Sequence, residues 1–520
     1  MPDVPPGPSS RAALPSSRAV EPSSPATDLS PRATGSSSRP AGLPQQSAGP
    51  SSHAPGSSPQ AAQGTTDPAG RSGGGEEGTL LRRTLRLRHI VFLGLAFMAP
   101  LAVFDTFGLV SETTDGHVPL AYLAVLVAVG LTALSYARMA RRITSAGSVY
   151  TYAGKALGAP VGFLVGWSAT LDYVLLPMLN ALLAAIYMGA VVPGVPAWVW
   201  VLSTVVVCTA LNLVGVRPAA KVNVALVAVQ AAVAVAFLVF AVRAVVTHGE
   251  SFGTTGFGLT TVPLPDLLSG ASLLALSFLG FDAVSTLSEE AERPRRDIPR
   301  AILLIVAAAG VFFLAVTYVM QTLFPDVSAV GDIVGASPEI AEYIGGAAFQ
   351  AVFVGGYLTA VLGCGLTQQM SAARLLFAMG RDGMLPRAVF GRLDPRTGVP
   401  AVNVVLVGVV AASAVFLDLG SAASLINFGA YVAFAAVNVA VIGFWVRDRR
   451  AGRSEARGAV AAALQVLLPA LGFVVNVALW LSLDTPAKIV GIVWAALGVG
   501  ILALRTGGFR RPARTVNLEE

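Results

Sequence analysis

Charge is scarce in this sequence: Asp, Glu, Lys and Arg together make up 12% of its 520 residues, against roughly 25% in soluble domains. So little charge excludes the reading of two or three soluble domains that the length alone would suggest. Cysteine is nearly absent. The two present, Cys208 and Cys364, both lie inside apolar runs, so they offer neither a metal cluster nor a disulfide framework and read as small apolar filler. The four histidines show no metal-ligand spacing, so no metal, no cofactor and no catalytic constellation is indicated, and the chain is not read as an enzyme. A phosphate-cradling Walker motif is also missing, which excludes ATP-driven transport within this chain.

The formal net charge of +6 could suggest nucleic acid, but its distribution does not. Basic residues gather in the tails and short connections, with no stacking platform and no globular basic domain beside them. Membrane proteins place their Lys and Arg in that way.

What fills the chain is apolar: 54% of residues, with a mean hydropathy of +0.69. From Leu85 onward it is a series of runs of about 20 residues, each long enough to cross a hydrocarbon core of ~30 Å. The pattern predicts an all-α polytopic membrane protein of about twelve transmembrane helices: 89–111, 119–139, 160–191, 196–214, 219–244, 267–289, 299–323, 345–376, 400–417, 421–446, 458–482 and 487–505. Residues 1–84 are rich in Ser, Pro, Gly and Ala without apolar period and are expected to be a disordered cytoplasmic tail. Residues 506–520 form a second cytoplasmic tail.

Orientation follows from the basic residues. With the N-terminus in the cytoplasm, Arg82, Arg83, Arg86, Arg88, Arg141, Arg142, Lys155, Arg293, Arg295, Arg296, Arg447, Arg449 and Arg450 all fall inside, and only Arg243 and Lys488 of the 35 Lys and Arg land outside. The outer connections instead carry Glu112, Asp115, Glu250, Asp326, Asp332, Glu339 and Glu342. Two readings of these acids stand side by side: a vestibule that concentrates cations, or the residue left when topology removes Lys and Arg.

Two spans are interrupted. The first, GLAFMAPLAVFDTFG, has Pro100 near its midpoint; the sixth, LLALSFLGFDAVSTLSEE, has Gly280 there with Asp282 two residues on. Pro removes a backbone donor and Gly loosens the helix, so each segment can unwind toward a cavity. First and sixth hold the same place in two successive groups of five, the arrangement of an inverted-repeat transporter with its site between broken helices. Three carboxylates lie within spans, Asp105, Asp172 and Asp282. Each costs ~2.5–3.5 kcal/mol at the bilayer centre unless it faces a cavity or partner. No Lys or Arg lies at matching depth, so a cationic substrate or protons are the obvious partners, with a brace to a broken helix end as the structural alternative. Glu289 and Glu290, next to Arg293, Arg295 and Arg296, read as an interfacial charge cluster or inner gate.

The stretches SAGSVYTYAGKALG, SFLGFDAVSTLSEEAERPRRDIPRAI and SAARLLFAMGRDGMLP resemble the amino acid–polyamine–organocation superfamily, and the resemblance runs almost the whole chain from Leu85. It implies a five-plus-five inverted repeat with discontinuous first and sixth helices, the halves being 85–246 and 247–446, and two extra helices within 447–505. It also implies alternating access. Within the superfamily, VFDTFGLVSETTDGHVP, GWSATLDYVLLPMLNALLAAIY and ASPEIAEYIGG are most similar to bacterial putrescine importers. Amino acid permeases usually carry a Gly-Ser/Thr-Gly type break whose N–H groups bind the substrate carboxylate. Here Pro100-Leu101-Ala102 stand in its place and Asp105 adds a negative charge, which suits a cation lacking a carboxylate. Some proton-coupled relatives carry a Lys in the fifth span, where this chain has Gln230.

The expected function is import of putrescine or a similar polyamine across the cell membrane, with a proton as coupling ion; an amino acid or other organic amine permease of the same fold is the alternative. The candidate substrate contacts are Met98, Ala99, Pro100 and Asp105, then Asp172 and Tyr173, then Phe278, Gly280, Phe281 and Asp282.

Overall fold

The structure is a computed structural model that describes residues 85–144, 148–215, 220–258, 261–381, 385–452 and 459–506. The predicted tails therefore lie outside the described residues, apart from Thr506. Among the described residues eleven helices are long and apolar enough to cross a membrane, and a twelfth apolar helix, Ala401–Phe416, is shorter. This is the all-helical polytopic architecture that the hydropathy requires. The ninth span is short, and its last turn, Ser413–Phe416, tightens into a 3-10 helix. The eighth begins earlier than its apolar run. Its helix starts at Ala336 and bends at Gly346, where φ is 72°.

Both predicted breaks are present. The first span is helical over Leu87–Met98 and stops at Ala99, whose φ is 51°. It continues as a 3-10 turn, Pro100–Phe104, and then as a short helix, Phe107–Thr113. The sixth runs Leu264–Leu274, tightens over Ala275–Phe278, turns extended at Leu279 and resumes at Ala283–Glu289. At Gly280 φ is 106°, where an L side chain is strained. A Cβ there would also sit 2.8 Å from Phe97 Cδ1 and 3.3 Å from Phe97 O, so glycine lets the two breaks touch.

Backbone groups freed by unwinding need partners inside a bilayer. Ser277 Oγ donates to Ala102 O at 3.1 Å and Ser337 Oγ to Phe104 O at 2.7 Å. Tyr122 OH and Ser277 Oγ lie 2.9 Å apart and extend the network into the second span.

The spans fall into two packing groups. The second, Val118–Arg142, lies along the seventh, Pro294–Leu323, with the first and the Leu264–Leu274 half of the sixth against them. The third, Ala159–Val191, packs on the fourth, eighth, ninth and tenth. Trp167 of the third and Trp494 of the twelfth stack 4.5 Å apart and donate indole N–H bonds to each other's carbonyl at 2.8 and 2.9 Å. Polar residues assigned to one face meet one another. Arg86 pairs with Glu292 at 3.1 Å, Arg142 with Asp448, and Arg447 Nη1 donates to Lys155 O at 3.0 Å. On the opposite side His117 Nε2 lies 2.6 Å from Thr261 Oγ1.

Candidate functional site

A cavity of about 60 Å³ opens beside the first break, lined by Met98, Ala99, Ala102 and Asp105 together with residues of the third, sixth and eighth spans. Asp105 ends the 3-10 turn that begins at Pro100. Five residues at ~2.0 Å each carry it about 10 Å beyond the proline, further than an α-helix would. Its side chain is only 8% exposed.

Tyr357 of the eighth span donates its hydroxyl to Asp105 Oδ1 at 2.5 Å. The Tyr357 ring stacks on Tyr187 of the third span, 3.6 Å between centroids and 8° from parallel, which fixes the donor's direction. The Tyr187 hydroxyl interacts electrostatically with Asp105 and lies within hydrogen-bonding reach of Ser337 and Tyr357, while Thr106 Oγ1 is buried without a hydrogen-bond partner among the described residues. A carboxylate offers two oxygens and roughly four lone-pair sites, so one phenol leaves acceptor capacity for an ammonium. No Lys, Arg or His lines the cavity.

Its other polar groups are amides. Asn180 Nδ2 donates to Leu176 O at 2.9 Å and to Gln368 Oε1. Both donor hydrogens are then used, and Asn180 Oδ1 is left as an acceptor. Phe97, Cys364 and Gln368 also line a second, larger cavity of about 170 Å³ between the first, fifth, sixth and eighth spans. Gln230 lines that cavity.

The ten sequence candidates fall in four places. Met98, Ala99 and Asp105 line the smaller cavity, and Pro100 and Gly280 shape the breaks beside it. Phe278 and Phe281 serve as packing. Phe278 sits between Tyr122 and Phe313, and Phe281 between Tyr136 and Phe434. Asp172, Tyr173 and Asp282 gather elsewhere, within electrostatic reach of one another. Tyr357, Tyr187, Asn180 and Gln368 were not among the candidates. The run of small and polar residues in GGYLTAVLGCGLTQQ was the available signal for the eighth span, since a lipid-facing helix has no use for Gln.

The bond to Tyr357 holds Asp105 in the cavity. Tyr357→Phe should lower uptake efficiency roughly tenfold, from loss of ~1.5 kcal/mol in one bond to a charged acceptor. Initial uptake rates over a substrate series would measure it; an unchanged KM and rate would show that the bond is incidental.

The amino acid permease family model matches residues 89–491. The chain belongs to the amino acid permease family. The permease is 43% identical over 438 residues to the low-affinity putrescine importer PlaP of Escherichia coli, a match covering 83% of this chain and 95% of that protein. It is 30% identical over 383 residues to the methylthioribose transporter of Bacillus subtilis, covering 70% and 81%. With the branched-chain amino acid permease BcaP of Lactococcus lactis it shares 27% over 455 residues, covering 81% and 93%. These relatives are transporters, as the absence of a catalytic constellation suggested, and this permease is a multi-pass membrane protein.

Proposed function

We propose that this permease imports putrescine or a similar polyamine across the cell membrane by alternating access, coupled to protons. The observation that carries the reading is Asp105: a lone buried carboxylate, beside two touching helix breaks, in a cavity with no basic residue. Such a site binds an ammonium and repels a carboxylate. The resemblance to a putrescine importer over 438 residues supports the same substrate class. The inverted repeats are 85–246 and 247–446, with the pair of breaks at equivalent places. The contact sites are Met98, Ala99 and Asp105 with Tyr357 and Asn180. A panel of labelled amines and amino acids in proteoliposomes tests the reading; uptake of amino acids without uptake of putrescine would overturn it.

Both termini are cytoplasmic in this reading, supported by the charge pattern and by the ion pairs that join Arg86 to Glu292 and Arg142 to Asp448. Reporter fusions after Val246 and after Gly452 should report opposite sides of the membrane. The same side for both would refute the span count between them.

Energetically the membrane potential alone is sufficient. A dication gains ~4.6 kcal/mol from 100 mV inside negative, at ~2.3 kcal/mol per charge. That supports roughly 2,000-fold accumulation at ~1.4 kcal/mol per tenfold. A coupled proton therefore adds direction and gating to import that the potential already drives.

A further inference from the structure

The eleventh and twelfth spans, Ala459–Leu481 and Thr485–Arg505, follow the two proposed repeats, and no residue of either lines the cavities described above. Nor does any residue of the second or tenth span. Where the second, tenth and eleventh meet, four polar side chains are nevertheless fully buried: Thr132 and Ser135 of the second, Asn438 of the tenth and Asn476 of the eleventh. Amides and hydroxyls inside a membrane are costly unless they bond one another.

Their hydrogen bonds use every side-chain donor hydrogen that the four carry. Thr132 Oγ1 donates to Ala128 O at 2.9 Å and accepts from Asn438 Nδ2 at 3.2 Å and from Asn476 Nδ2 at 2.8 Å. One donor and two lone pairs are all that a hydroxyl has. Ser135 Oγ donates to Asn438 Oδ1 at 2.7 Å. The second hydrogens of the two amides go to Phe434 O at 2.9 Å and to Gly472 O at 2.6 Å. A carbonyl only accepts, so these last two bonds fix which way each amide faces. Asn476 Oδ1, an acceptor, is the atom of the four left without a partner among the described residues.

Shape reinforces the bonds. A Cβ on Gly472 would lie 2.7 Å from Asn438 Oδ1, so glycine brings the eleventh span close enough to reach Thr132. The twelfth is fitted in the same manner. A Cβ on Gly498 would lie 2.3 Å from Trp167 Cδ1 of the third span, and one on Gly491 would lie 2.5 Å from the Phe428 ring of the tenth. Ser424 Oγ of the tenth donates to Asp484 Oδ2 at 3.1 Å, in the turn between the two extra spans. A continuous brace therefore runs from the second span, in one helix group, to the third, in the other.

Three of these bonds cross between spans, and parting the second span from the tenth and eleventh would break all three. In a fully buried site their donors would be left unpaired, and each unpaired donor makes the parted state rarer by about tenfold. Between the first, fifth, sixth and eighth spans there is instead a cavity of about 170 Å³, where spans can shift without parting a packed polar surface. We propose that Thr132, Asn438 and Asn476 are positioning residues that mark the fixed axis of alternating access. The second, tenth and eleventh spans keep these bonds throughout the cycle, and the two helix groups swing about them. Opening and closing then fall at the first, fifth, sixth and eighth spans. The proposal rests on the alternating-access import reading above and adds where the molecule does not move.

Thr132→Cys with Asn476→Cys replaces the hydrogen bond by two thiols that an oxidant can join. Initial uptake of labelled putrescine in proteoliposomes is read before and after oxidation, against wild type oxidised alike, with the disulfide verified by mass spectrometry. Before oxidation, turnover should be about tenfold below wild type at an unchanged KM, since neither residue lines the amine cavity. Joining the thiols should restore at least roughly half of the wild-type turnover, because a bond kept throughout the cycle tolerates a covalent one. A disulfide that leaves turnover low, or stops it, would show that these spans part and would overturn the proposal. If the disulfide does not form, Thr132→Val and Thr132→Ser decide the matter. Valine keeps the shape and loses the shared oxygen, so turnover should fall about tenfold, while serine keeps the oxygen and should stay within about twofold of wild type. Should the valine variant not fold, Ser135→Ala removes one inter-span bond and should lower turnover about threefold. Unchanged or faster turnover in the variant used, or a KM that rises as far as turnover falls, would overturn the axis. Wild-type vesicles that take up no putrescine would count against the import reading instead, and the same comparisons are then made with the solute that the panel shows to be carried.

Discussion

Asp105→Asn should reduce putrescine uptake efficiency by about a hundredfold or more while the protein still inserts and folds. Removing one partner of a buried, hydrogen-bonded charge pair costs ~2–5 kcal/mol, and about 3 kcal/mol corresponds to slightly more than a hundredfold. The loss should be large here because nothing else replaces the charge. The cavity holds no second carboxylate, and its remaining polar groups are neutral amides, a phenol and a thiol. Folding should survive, because asparagine keeps a carbonyl acceptor for the Tyr357 hydroxyl. Initial-rate uptake over a range of putrescine concentrations, with membrane content checked by quantitative blotting, would measure the effect. Near-normal affinity in the variant would remove Asp105 from the substrate and leave it as a brace between the first and eighth spans.

The breaks were legible in the sequence because their causes are local. Proline at position 100 cannot donate, glycine at position 280 tolerates positive φ, and both consequences follow without knowing any neighbour. The spans were legible for a similar reason, since apolar length is a property of one segment. The shape of the ninth span was less so, because a closing 3-10 turn leaves no mark in hydropathy.

The site was half legible. Sequence gives the depth of a carboxylate in a span but not its direction around the helix axis, so Asp105, Asp172 and Asp282 looked equivalent. Packing separates them. The Tyr357 partner of Asp105 lies 252 residues away, in a span with no charged residue between Glu342 and Arg374, and no local signal ties the two together. Phe278 and Phe281 flank the sixth-span break in sequence, yet their rings point into aromatic packing with Phe313 and Phe434. Adjacency to a break says where a backbone opens and nothing about which side chains turn toward the opening.

Putrescine should be preferred over ornithine by at least roughly a hundredfold, a difference of ~2.7 kcal/mol. The two share a four-carbon chain ending in an amine, and ornithine adds a carboxylate. For that carboxylate the site offers repulsion from Asp105 and no Lys, Arg or His in the cavity wall. Several of the backbone positions at the breaks offer it no donor. Pro100 has none, Ala102 N bonds Ala99 O at 2.9 Å, and Leu279 N bonds Leu276 O at 3.1 Å. Burying a carboxylate without partners costs several kcal/mol in effective terms, and a site that cannot pair a polar group rejects the ligand that carries it. Putrescine meets no such penalty, since its second ammonium finds acceptors such as Asn180 Oδ1. Competition of labelled putrescine uptake by unlabelled ornithine, arginine, cadaverine and spermidine measures the preference. Cadaverine should compete and ornithine should not. If ornithine competes as well as cadaverine, the carboxylate has a partner in the cavity, and the permease transports amino acids rather than polyamines.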